Sequence, residues 1–168
     1  MKITTRQLAL CAVLTALALG LSTLENLFPV TLVIPLPGVK LGLANIVTVF
    51  ALYQLGPLPA LCILAARCLL GSLFAGNASA LLFSLLGGTL AMLVMLALSR
   101  LPGLSVYGVS IGGAAAHNIG QMAAALITLG NTAVLGYLPF LLAVSLFTGA
   151  LTGFVSALLL RAISHVKL

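Results

Sequence analysis

The chain has 168 residues, of which 62% are hydrophobic and only 5% charged. An ordinary soluble domain carries about 25% charged residues, so soluble globular folds are excluded and the mean hydropathy of +1.34 points to an integral membrane protein. The net charge of +6 comes from basic residues scattered at the ends of apolar runs, where topology and anionic lipid account for them; nucleic acid is not the implied partner.

At ~20 apolar residues per crossing, the length holds at most six short-looped helices and leaves no room for a soluble domain. Residues 1–168 therefore read as one membrane domain, all-α, with six transmembrane helices. The first segment covers residues 7–24. Lys2 and Arg6 ahead of it imitate a signal peptide, but the spans that follow argue for a retained helix. It contains Ala12 and Ala16, then Gly20, a stripe of small residues suited to close helix packing.

Between the first and second segments lies NLFPVTLVIPLPGVK. Val30 to Ile34 is apolar and β-branched, too short to span, and bracketed by Pro29, Pro35 and Pro37. It reads either as a lid over the bundle or as a loop in the lipid interface. Pro37 and Gly38 stop any helix arriving from upstream. Lys40 then places a charge at the mouth of the next run, followed by Gly42, Ala44 and Asn45. Small residues let a ligand approach while Lys40 and Asn45 offer donors; alternatively Lys40 only snorkels to headgroups.

The second segment, 41–55, is short and ends at Gly56-Pro57-Leu58-Pro59. The third, 58–75, carries Arg67 near its middle. An arginine at that depth costs about 2.5–3.5 kcal/mol on insertion scales, so it must face the bundle interior, a cavity or a partner. It reads as a holder of an anionic group through its fork of donors, or as a structural partner of Glu25, the one acidic residue. The fourth segment, 78–99, opens with Asn77, a helix cap or a ligand contact. The fifth, 106–129, carries GGAAAHNIGQ, in which His117 and Gln121 share a face and Asn118 lies beside them. Three polar side chains at mid-depth need partners, either a ligand or a neighbouring helix. The sixth segment is 138–163.

With the N-terminus in the cytoplasm, Lys2, Arg6, Arg100, Arg161 and Lys167 fall on the inner face and only Lys40 on the outer. The positive-inside rule thus predicts cytoplasmic termini and a cytoplasmic-membrane location. The polar breaks gather outside, so a ligand site is expected to open outward.

Several chemistries are missing. Cys11, Cys62 and Cys68 make no CxxC pair and sit in apolar runs, so no disulfide is read. No metal site, cofactor site or nucleotide-binding glycine loop is present, and with no aspartate there is no carboxylate cluster to hold magnesium on a diphosphate. The expectation is a non-enzyme.

PGVKLGLANIV, GNASALLFSLLGG and GGAAAHNIGQ together resemble a bacterial family known both as "Gx transporter" and as "heptaprenyl diphosphate synthase component I". That family is similar to the S-components of energy-coupling factor transporters, six-helix subunits that bind small molecules near the outer face. They deliver cargo against a transmembrane scaffold protein driven by ATPase subunits. The resemblance implies that Ala12 and Ala16 form a scaffold-facing stripe and that residues 28–40 close over the substrate. The leading expectation is a substrate-binding subunit for ATP-driven uptake of a vitamin-, flavin-, isoprenoid- or quinone-related molecule. Its site would comprise Lys40, Asn45, Arg67, Asn77, His117, Asn118 and Gln121. The alternative is a non-catalytic accessory membrane subunit of a prenyl diphosphate or quinone pathway or of a redox complex.

Overall fold

Long apolar runs separated by Gly–Pro and Gly–Asn breaks fold into six α-helices, α1 (Thr5–Leu27), α2 (Asn45–Gln54), α3 (Pro57–Ala75), α4 (Ala78–Leu98), α5 (Val106–Leu129) and α6 (Leu138–Ile163). The computed structural model describes residues 5–27 and 42–163, and no strand occurs among them. A 3-10 helix, Thr132–Tyr137, leads into α6. The expected bounds hold for α5 and α6 and need correction elsewhere. α1 extends at both ends, because nothing before Leu27 breaks it. α2 starts at Asn45 rather than residue 41, because Gly42–Ala44 forms a turn in which the Asn45 N–H reaches the Gly42 carbonyl at 2.9 Å. α3 begins one residue early, with Pro57 in the first turn where its missing N–H costs nothing. α4 ends one residue short of Ser99.

α3 and α5 stop at Gly76 and Gly130, both left-handed. Side chains open the other ends: Asn77 accepts from the Ala80 N–H ahead of α4, and Ser105 from the Gly108 N–H ahead of α5.

α2 touches all five other helices, and α5 makes the most extensive packing, against α4 and α6. Glycines set both crossings. A Cβ at Gly120 would collide with the backbone of Leu86 and Gly87 in α4. One at Gly149 would come within 2.5 Å of the Ile111 Cα, and one at Gly153 within 3.0 Å of the Tyr107 Cα. Gly149 and Gly153 form a GxxxG pair, the spacing that lets two membrane helices meet backbone to backbone. α2, mostly apolar, is buried from Asn45 to Leu52 between α3 and α6, and Ser156 of α6 donates to its Ile46 carbonyl at 3.2 Å.

The outside of the bundle is as apolar as the inside: Phe147, Phe74, Leu73 and Ile127 are among the most exposed side chains. Four helical stretches, Thr5–Glu25, Pro57–Ala75, Ala78–Leu98 and Thr132–Ile163, are long and apolar enough to cross a membrane. Outward leucine and phenylalanine on such helices suit lipid rather than water, and the chain is a multi-pass membrane protein.

Candidate functional site

Four helices, α1, α2, α3 and α5, bring polar side chains to one place, α4 walls it with glycine, and Gly42 is its hub. Its backbone has φ of +86°, a conformation that side-chain-bearing residues rarely adopt. The Gly42 N–H donates to the carboxylate of Glu25, at the end of α1. A Cβ at Gly42 would lie 3.0 Å from the Asn45 Nδ2 and 3.2 Å from the His117 Cδ2. The glycine is therefore wedged between the first residue of α2 and the middle of α5.

Arg67 reaches this cluster from α3. Its Nη2 donates to the Asn45 Oδ1 at 3.2 Å. The guanidinium partner is thus a neutral amide rather than the carboxylate, although Glu25 is near enough to act on Arg67 electrostatically. α4 makes room with two successive glycines. A Cβ at Gly87 would meet the His117 ring at 3.0 Å and the Gln121 Cγ at 3.1 Å; one at Gly88 would meet the Leu64 Cδ1 at 2.7 Å and the Arg67 Nη2 at 3.4 Å. Two arginine-facing and histidine-facing surfaces thereby share one glycine-lined wall.

Two members of the cluster are deeply buried. Arg67 is 8% exposed and Asn45 4%. Among the described residues the Arg67 Nε and the Asn45 Nδ2 have no hydrogen-bond partner. Buried donors left unpaired cost about 1–3 kcal/mol each, and a charged one more.

Of the residues expected at a site, the structure joins Asn45, Arg67, His117 and Gln121. Lys40 and the lid-like segment lie outside the described residues. Asn118 is buried on another face of α5, where its Nδ2 donates to the Leu141 carbonyl of α6 at 2.8 Å. This is the helix-to-helix use of an asparagine. Asn77 is exposed, and its side chain accepts from the Ala80 N–H at 2.6 Å; it caps α4 away from the cluster. Ala12 and Ala16 are exposed on α1 and line an apolar groove with Cys62 and Ala66 of α3. Sequence reasoning missed Glu25 as the acceptor for Gly42, and Gly87 and Gly88 as the wall. The lone carboxylate was a signal for the first; a glycine pair inside an apolar helix gives no chemical signal of its own. Among the described residues no group of histidine, cysteine and acidic side chains could hold a metal.

A family model described as heptaprenyl diphosphate synthase component I matches residues 14–159. The chain belongs to that family. The match takes in the whole polar cluster, Glu25 to Gln121, and all of α2 to α5. Of the two α1 alanines, component I includes Ala16 and leaves Ala12 outside the matched stretch. No curated protein and no solved structure shows a significant match.

Proposed function

We propose that this chain is a non-catalytic membrane subunit of a prenyl diphosphate synthase system. The carrying observation is the family match over residues 14–159, whose description names one component of a heptaprenyl diphosphate synthase. A first component implies a second, to which the chemistry falls. The composition agrees: Glu25 is the only acid in the chain, so it brings no carboxylate pair to hold magnesium on a diphosphate. In this reading the subunit spans the membrane six times as a single domain with both termini in the cytoplasm, and the cluster of Asn45, Arg67, His117 and Gln121 binds the apolar-tailed molecule on which its partner acts.

The test is reconstitution. The partner synthase is assayed for prenyl-chain elongation in lipid vesicles with and without this chain. The chain alone should give no product, and its addition should raise the output or the length of the product. An unchanged partner would remove the proposal.

A second reading, an S-component-like carrier for ATP-driven uptake, is favoured by one observation: Ala12 and Ala16 stand exposed beside an apolar groove of about 410 Å³ between α1 and α3. Co-purification with a transmembrane scaffold and ATPase subunits, and without a synthase, would make this reading the better one.

A further inference from the structure

Three features converge on one point in the bundle, and each favours negative charge. Arg67 is buried, cationic and hydrogen-bonded to a neutral amide. Its Nε, and the Nδ2 of that same amide, are buried donors with no partner among the described residues. Asn45 is also the first residue of α2, whose N-terminus carries no side-chain cap; the Asn45 and Ile46 N–H groups are taken by the Gly42 and Leu43 carbonyls, so this end contributes its dipole rather than free N–H groups. A helix N-terminus presents partial positive charge. The sole carboxylate is not hydrogen-bonded to the arginine; it accepts from the Gly42 N–H.

We infer that Arg67, Asn45 and the N-terminus of α2 form a metal-independent site for one oxyanion group, a phosphate or carboxylate borne on an apolar molecule. The inference rests on reading the cluster as a ligand site and names what that site takes. The guanidinium edge supplies Nε as a donor and the amide supplies Nδ2. Gly42, Gly87 and Gly88 let the Asn45, His117 and Arg67 side chains pack against bare backbone, where a Cβ would crowd them. Metal independence follows from the composition around the site. Magnesium on a phosphate is usually held through one or two carboxylates, and the only acid, Glu25, already accepts from the Gly42 N–H. The charge of the ligand is therefore balanced by Arg67 itself. This differs from carboxylate-bound metal clamps, in which the protein is negative and the metal makes the contact.

The same chemistry could come from a prenyl diphosphate or from an anionic lipid headgroup. The experiment separates them. The full chain, in uncharged detergent with excess EDTA, is titrated with farnesyl diphosphate, inorganic pyrophosphate, farnesol and short-chain phosphatidylglycerol. Farnesyl diphosphate should bind in EDTA, pyrophosphate should compete with it, and Arg67→Gln should weaken it by about tenfold or more. Arg67→Lys, which keeps the charge but not the fork, should bind at an intermediate level and guards against misfolding of the glutamine variant. Asn45→Asp should weaken binding by adding a like charge. Farnesol binding should not respond to any of the three. If phosphatidylglycerol alone shows the Arg67 dependence, the oxyanion site stands and its occupant is a lipid. Binding that requires magnesium, binding unchanged in Arg67→Gln and Asn45→Asp, or no binding by any anionic probe overturns the inference. Capture of the partner synthase by Arg67→Gln, measured in parallel, keeps this result separate from the subunit assignment: the site can fail while the complex still forms.

Discussion

Replacing Gly120 by alanine should destabilise the bundle, although alanine is the better helix former. A Cβ there would sit 2.7 Å from the Leu86 carbonyl carbon and 2.8 Å from the Gly87 Cα. Carbon atoms prefer about 3.5–4.0 Å, so α4 must retreat from α5 by roughly 1 Å. The obstacle is backbone, which cannot rotate away as a side chain can. A gap of that size forfeits a quarter to a half of the dispersion well between facing atoms, and α4 with α5 is the most extensive helix pair in the molecule. Overpacking of this kind costs about 1–3 kcal/mol, while exchanging glycine for alanine in a helix returns up to ~1 kcal/mol. A net loss of up to about 2 kcal/mol is expected. Two companions calibrate it. Gly113→Ala first meets the Met95 side chain, at 2.5 Å from its Cγ, and methionine can repack, so its loss should be smaller. Gly20→Ala meets nothing within 4 Å and should be neutral or stabilising. The assay is equilibrium unfolding by detergent titration, followed by far-ultraviolet circular dichroism. If Gly120→Ala is as stable as Gly20→Ala, the close crossing of α4 and α5 is not what glycine serves there.

Removing the Glu25 side chain, as in Glu25→Ala, leaves the Gly42 N–H buried without its acceptor and should cost about 1–3 kcal/mol; Glu25→Gln keeps an acceptor oxygen and should lose less in the same unfolding assay. Asn118→Leu removes the donor to the Leu141 carbonyl. Interhelical bonds of this kind in membranes average about 0.6 kcal/mol, so a small loss of stability with unchanged ligand binding is expected; a large loss of binding instead would return Asn118 to the site. Asn77→Ala removes the cap of α4, worth about 1 kcal/mol, and should leave affinity for farnesyl diphosphate unaltered when measured by titration.

The helices were legible because their breakers are chemically loud. Gly130 ends α5 and Gly76 ends α3 at the residues the sequence suggested. Where a boundary depended on hydropathy alone it slipped. α1 runs through Glu25 and Asn26 to Leu27, with the buried Glu25 carboxylate accepting from the Gly42 N–H. The 3-10 helix Thr132–Tyr137 was unforeseen; its start, Asn131 accepting from the Ala133 N–H at 2.9 Å, looked in sequence like any Gly–Asn turn.

At the candidate site, the polar residue types were legible and their grouping was not. Arg67 stood out because an arginine in an apolar run is expensive. Its partner did not follow from charge: Asn45, not Glu25, accepts its hydrogen bond. His117, Asn118 and Gln121 formed one motif in sequence, yet the 100° step per residue turns Asn118 toward α6 while His117 and Gln121 face Gly87. Gly87 and Gly88 became meaningful only once the side chains opposite them were placed.

Whether this membrane component serves a synthase without doing its chemistry is decided by purifying the tagged chain from its native membrane in mild detergent. The eluate is then assayed for stoichiometric co-purifying subunits and for prenyl-chain elongation. The account predicts a prenyl synthase polypeptide in constant ratio to this chain and elongation activity in the eluate that the isolated chain lacks. ATP-binding subunits in place of the synthase, with no elongation activity, would contradict it.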